Sequence, residues 1–164
     1  MRITAPSFTR RQACGLICFL FPLVASAADP DASPEPKALY TRISKFATSL
    51  SGSDPVDAVR SFEPDMPGYN LIAERIQALT EQAEILCSID VVADNEANHP
   101  EADVHHLDLD WYMTLTSRAP SGPVERRRLR VEMALRRIKT KSGEDWRIVS
   151  LAPATILDPI RIPN

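Results

Sequence analysis

The chain has 164 residues, 44% of them apolar and 25% charged, with 19 Lys+Arg set against 22 Asp+Glu. These values are ordinary for a globular domain and exclude a disordered, collagenous or polytopic membrane chain. The 14 prolines and only 5 glycines gather in the two tails and three loops, which leaves the middle of the chain free to build helix and sheet.

At the N-terminus, Arg2, Arg10 and Arg11 precede the apolar run 13–24 and the small residues Ala25-Ser26-Ala27. That order predicts an export signal over residues 1–27, cleaved after Ala27, and a bacterial periplasmic or secreted product. No later stretch approaches the roughly 20 apolar residues of a membrane-spanning helix. Cleavage removes three arginines and no acid, moving the net charge from −3 to −6, so nucleic acid is a poor partner. Cys14 and Cys18 leave with the signal. Cys87 then has no intramolecular disulfide partner, and its place in an apolar alternation predicts a buried, inert thiol.

Residues 28–36 read as a polar, proline-rich tether, 37–157 as one domain and 158–164 as a tail. In the domain, Leu39, Tyr40, Ile43, Phe46 and Leu50 recur at helical spacing and predict a first helix ending at Gly52. Ser53 or Asp54 can cap a short second helix with Pro55 at its first position and Val56, Val59 and Phe62 on its inner stripe. A proline-containing loop follows to Tyr69. Asn70 can cap a third helix, with Leu71, Ile72, Ile76 and Leu79 on one side, running to about Ala83.

Beyond Glu84 the apolar period falls to two, the mark of strands. Ile85, Cys87, Ile89 and Val91 share one face of the first; Leu107, Leu109, Trp111, Met113 and Leu115 one face of the second; Leu129, Val131, Met133 and Leu135 one face of the third. The fourth runs over residues 146–151. Short connections predict an antiparallel meander. The fold class is therefore α+β, three N-terminal helices packed on a four-stranded antiparallel sheet.

This order of elements, closing on Lys141-x-Gly143-x-x-Trp146-Arg147-Ile148, resembles the nuclear-transport-factor-2-like superfamily, which includes SnoaL-like cyclases and ketosteroid isomerases and shares a cystatin-like fold. The resemblance covers about residues 37–155. It implies a strongly curved sheet that wraps the helices into a cone with a cavity at its mouth. It leaves the chemistry open, because the superfamily holds enzymes, ligand carriers and interaction modules.

Isomerase-type proton transfer needs an inward carboxylate base and opposed donors, and the expected inner positions Ile89, Val91, Leu107, Leu109, Trp111, Met113, Leu129, Val131 and Met133 carry no titratable group. The readings therefore lean away from catalysis. The first expectation is a non-enzymatic binding or interaction module whose apolar cavity, lined by Tyr69, Ile89, Leu109, Trp111, Met113, Val131 and Met133, takes an apolar ligand. The alternative is a small isomerase, cyclase or dehydratase that uses Asp65, Tyr69 or a strand aspartate such as Asp110.

On the other strand face, His106, Asp108 and Asp110 lie at i, i+2 and i+4, but Arg126, Arg128 and Arg130 on the next strand favour charge pairing over a metal. His105 should point the opposite way and His99 lies in a loop. The arginine run 126–130 reads as a solvated or dimer-facing sheet surface rather than a nucleic-acid patch, so a homodimer through the charged face is expected. No phosphate loop, Cys-x-x-Cys, His-Glu-x-x-His or Gly-x-Ser-x-Gly motif occurs, and no cofactor is expected.

Overall fold

A computed structural model describes residues 34–95, 103–141 and 143–161. The predicted signal, most of the tether and the loop carrying His99 lie outside the described residues. Three helices, α1 (Pro34–Ser51), α2 (Pro55–Val59) and α3 (Tyr69–Gln82), precede four strands, β1 (Ala83–Asp94), β2 (Val104–Ser117), β3 (Val124–Thr140) and β4 (Gly143–Ala152). The strands form one antiparallel sheet in the order β1-β2-β3-β4, as the short connections predict. A 3-10 turn, Ala154–Leu157, follows β4. Among the described residues no helix is long and apolar enough to cross a membrane.

Helix α1 starts earlier than its apolar pattern suggests and includes Pro34 and Pro36. Proline is tolerated in a first turn, where its missing N–H has no partner to lose. Leu39, Ile43, Phe46 and Leu50 are buried, but Tyr40 is exposed. The buried line runs at i, i+4, i+7 and i+11, and Tyr40 flanks it.

Asp54 caps α2 by accepting the Asp57 amide at 3.0 Å, with Pro55 first in the helix. Val56 is exposed, and Ala58 and Phe62 carry the packing instead. Asn70 does not cap α3. The cap is Gly68 at φ 79°, a left-handed conformation that glycine adopts without a Cβ clash, and Leu71 faces out while Ile72, Ile76 and Leu79 are buried.

The sheet register sets which side chains meet. Ile85, Cys87, Ile89 and Val91 of β1 stand opposite Leu115, Met113, Trp111 and Leu109 of β2. Leu107, Leu109 and Trp111 face Met133, Val131 and Leu129 of β3. This apolar face joins the helices in one core, where Phe46 meets Phe62 and Trp111 edge-on at ring separations of 5.3 and 5.5 Å. Beyond a bulge between Ala134 and Leu135, Leu135 pairs with Ile148 of β4.

The free edge of β4 is covered by the segment after α2. Ile148 donates to the Ser61 carbonyl at 2.8 Å, and Glu63 donates to the Ile148 carbonyl at 2.8 Å. Ser51 covers the β1 edge in part by accepting the Cys87 amide at 3.2 Å. Blocked edges discourage uncontrolled strand pairing.

Arg42 of α1 is ion-paired with Asp145 of β4, tying the first helix to the last strand. Burial works to raise the Asp145 pKa, but the Arg42 hydrogen bond, the Trp146 amide and the charges of Arg42 and Arg147 outweigh it and hold the carboxyl below its ordinary range. A depressed folded value stabilises the fold above the ordinary carboxylate pKa and withdraws that stability as pH falls through the folded value. Urea unfolding between pH 7 and pH 3 is therefore expected to show a shallower acid loss for Asp145→Asn than for the unaltered chain, from a lower starting stability.

Candidate functional site

The two faces of the sheet divide the chemistry. On the inward face, Leu109, Trp111, Met113, Val131 and Met133 are fully buried, and Ile89 and Tyr69 are half-buried against them. These are the side chains expected to line an apolar cavity; they pack on one another and on the helices. Trp111 is 0% exposed and its Nε1 donates to the Cys87 sulfur at 3.1 Å.

Burial pushes the Cys87 thiol up from its usual 9.0 to about 11, more than the Trp111 hydrogen bond lowers it. The thiolate is the reactive form, so a disulfide reagent at pH 8 is expected to leave Cys87 unmodified in the folded chain and to modify it at once in denaturant. The raised pKa also means that the folded state holds its proton longer. The stability Cys87 contributes is full below about pH 9 and falls as pH rises through about 11.

Asp65 is exposed in the loop before α3, while Tyr69 opens that helix. Asp110 lies on the outward face of β2, across the sheet from the core that Tyr69 packs on, so the structure does not bring these three residues together. Arg128 of β3 grips Asp110 through Nη2 at 2.6 Å and Nε at 3.1 Å. This hydrogen bond, with the charges of Arg128 and Arg130, lowers the Asp110 pKa. A base poised near neutrality needs the opposite shift, whereas Asp110 is held in an ion pair with Arg128.

The charge pairing expected between β2 and β3 is present at Asp110 and absent at Asp108. Asp108 stands opposite Glu132, and Asp90 stands opposite Asp110. Like charges in direct register are unfavourable on an isolated sheet. Nearby lies a cavity of about 240 Å³ lined by His106, Asp108, Glu132 and Ser150, and an adjoining one of about 330 Å³ shares Asp108 and Glu132 and adds Arg130. Among the described residues no group of three His, Cys, Asp or Glu side chains is placed to hold a metal. His105 points inward as its strand position requires, with its ring edge-on to Trp146 at 5.1 Å and Nδ1 3.4 Å from Asp94.

One inward residue escaped the sequence reading. Arg127 is in phase with Leu129 and Val131, and its side chain is only 11% exposed. Its guanidinium donates to Glu125 at 2.7 Å, to the Ile156 carbonyl at 2.8 Å and to the carbonyls of Asp158 and Pro159. A strict period-two reading of β3 would have placed it inside; its position within an arginine run concealed that.

No protein-family model and no curated protein matches the sequence. Solved structures do resemble it. A conserved protein from Planctomyces limnophilus matches at a TM-score of 0.60 and 12% identity, over 72% of this chain and 93% of that one. A nuclear transport factor 2-like superfamily protein from Salmonella enterica serovar Typhimurium matches at 0.55 and 17%, over 79% and 95%. A ketosteroid isomerase-like protein from Erwinia carotovora atroseptica matches at 0.54 and 16%, over 71% and 92%. At such identities the likeness establishes the fold alone.

Proposed function

We propose that this chain, which has the nuclear-transport-factor-2-like fold, is an exported, non-enzymatic interaction module that docks through the outward face of its sheet, with a second copy of itself as partner. The export assignment rests on the sequence of residues 1–27. The docking assignment rests on one observation: the outward face carries acids on β1 and β2 (Asp90, Asp108, Asp110) beside a basic row on β3 (Arg126, Arg128, Arg130).

A two-fold axis running along the strands between β2 and β3 sets β2 of one copy over β3 of the other, with Asp110 over Arg130 and Tyr112 over Arg128, a self-complementary arrangement of the kind a symmetric dimer requires. Arg130 of one copy, set over Asp110 of the other, also relieves the like-charge register Asp90–Asp110. Exposed Tyr112 and Leu86 supply apolar area to the same face.

Light scattering at micromolar concentrations tests the reading. The expected result is a dimeric mass that falls to the monomer in Arg128→Glu/Arg130→Glu, whose charges are reversed on the exposed face without touching the core. A monomeric mass for the unaltered chain at all concentrations would remove the proposal.

A further inference from the structure

The outward face of the sheet sinks where β4 joins it. Two cross-strand rows build this place: His106, Ala134 and Ser150 stand side by side on β2, β3 and β4, and Asp108, Glu132 and Ala152 form the next row. Farther along the same face the outward side chains are Tyr112, Arg128 and Arg130, whereas here the floor is made of alanine and serine. Short side chains leave a hollow. It is the cavity of about 240 Å³ already described, and the adjoining one of about 330 Å³ lies on its Arg130 side.

Asp108 and Glu132 both line the hollow and stand directly opposite each other, which puts their Cβ atoms roughly 5 Å apart. Asp110, the next acid along β2, is balanced by Arg128. Among the described residues neither Asp108 nor Glu132 has an ion-pair partner, Arg130 included. Like charges in direct register cost stability, and a small cation held between them recovers it.

We infer that this hollow binds a short-chain primary amine in its protonated form. A primary ammonium has three N–H donors and no acceptor. Asp108 and Glu132 accept two of them, through bonds in which both partners are ionised, and the third stays in water at the open side. The methyl groups of Ala134 and Ala152 offer the neighbouring floor to the alkyl chain. The carboxylates alone would be a charged patch; the two rows of short side chains add the room that a molecule larger than a metal ion needs.

The site is complete in one copy, so it does not rest on the proposed dimer. The two are coupled, because the two-fold arrangement sets Asp108 of one copy over Glu132 of the other, and an ammonium taken up there removes that repulsion.

The test is titration of the isotopically labelled full chain with n-butylammonium chloride, followed by amide chemical shifts. Saturable shifts are expected at Asp108, Glu132 and Ser150. Butyltrimethylammonium, which has the charge but no N–H donor, is expected to bind about ten-fold more weakly. Asp108→Asn/Glu132→Gln is expected to lose about ten-fold in affinity, while Asp90→Asn, on the same face but outside the hollow, keeps it. The double variant should also melt higher than the unaltered chain, since the opposed charges are gone, and butylammonium should raise the Tm of the unaltered chain only.

If the double variant does not fold, the comparison of the two ammonium ions on the unaltered chain decides. Equal affinity for both ions, shifts that follow sodium chloride at matched ionic strength, or unchanged binding by the folded double variant would overturn the inference. Light scattering of the same samples keeps the two readings apart. Saturable binding by a monomer upholds the site and removes the dimer; a dimer without saturable binding does the reverse.

Discussion

Trp111→Ala is expected to cost about 3–5 kcal/mol of folding stability, the range for truncating a large aromatic side chain in a packed core. Trp111 is fully buried, meets Phe46 edge-on and donates to the Cys87 sulfur, so its loss opens a cavity, removes an aromatic contact and strips a hydrogen-bond partner together. Domains of this size are stable by only about 5–15 kcal/mol. The variant should therefore sit close to unfolding at room temperature, while Tyr112→Ala, one residue along the same strand but facing outward and 38% exposed, should lose less than about 1 kcal/mol. Urea denaturation of the pair measures both. Equal losses would mean that the two faces of β2 are not divided as described.

Arg127→Ala is expected to cost about 2–4 kcal/mol, because it leaves the carbonyls of Ile156, Asp158 and Pro159 and the Glu125 carboxylate without their donor. Its neighbour Arg128 is 73% exposed and pairs with Asp110 on the outward face, so Arg128→Ala should leave the stability of the monomer nearly unchanged. Loss of Arg127 should also free residues 154–161, read out as faster carboxypeptidase trimming under conditions where the rest of the chain stays folded. Arg127→Lys should recover only part of the loss, since a compact ammonium cannot span the set of acceptors that the planar fork reaches. Two adjacent arginines thus separate a structural anchor from a surface charge.

The architecture was legible because periodicity reports burial. Leu107, Leu109, Trp111, Met113 and Leu115 alternate without interruption, and all five are fully or almost fully buried. The helical stripe was read one residue too wide at Tyr40, Val56 and Leu71, because an apolar side chain beside a buried line looks the same in sequence as one within it. The α3 cap was missed for a different reason. Asn70 has the side chain of a capping residue, but the chain enters the helix through a left-handed backbone at Gly68, and backbone conformation is written less clearly than side-chain chemistry.

The packing of the segment after β4 was invisible because its polar contacts are mostly main chain. Residues 158–164, with Pro159 and Pro163, read as a tail, and nothing in that composition says that Ile160 returns to the core or that an arginine of β3 collects the carbonyls of Ile156, Asp158 and Pro159. The opposition of Asp108 to Glu132 was likewise out of reach. Alternation gives the face of each side chain, while cross-strand partners depend on the register that turn geometry and bulges select.

Acrylamide quenching of tryptophan fluorescence tests most directly whether the inward face is a packed core rather than a hollow. The chain has two tryptophans, Trp111 and Trp146, both buried on that face at 0% and 3% exposure. The account predicts weak quenching in native buffer that rises to the level of free indole only on unfolding. Strong quenching of the native protein would place Trp111 on the wall of an open, water-filled cavity and contradict it.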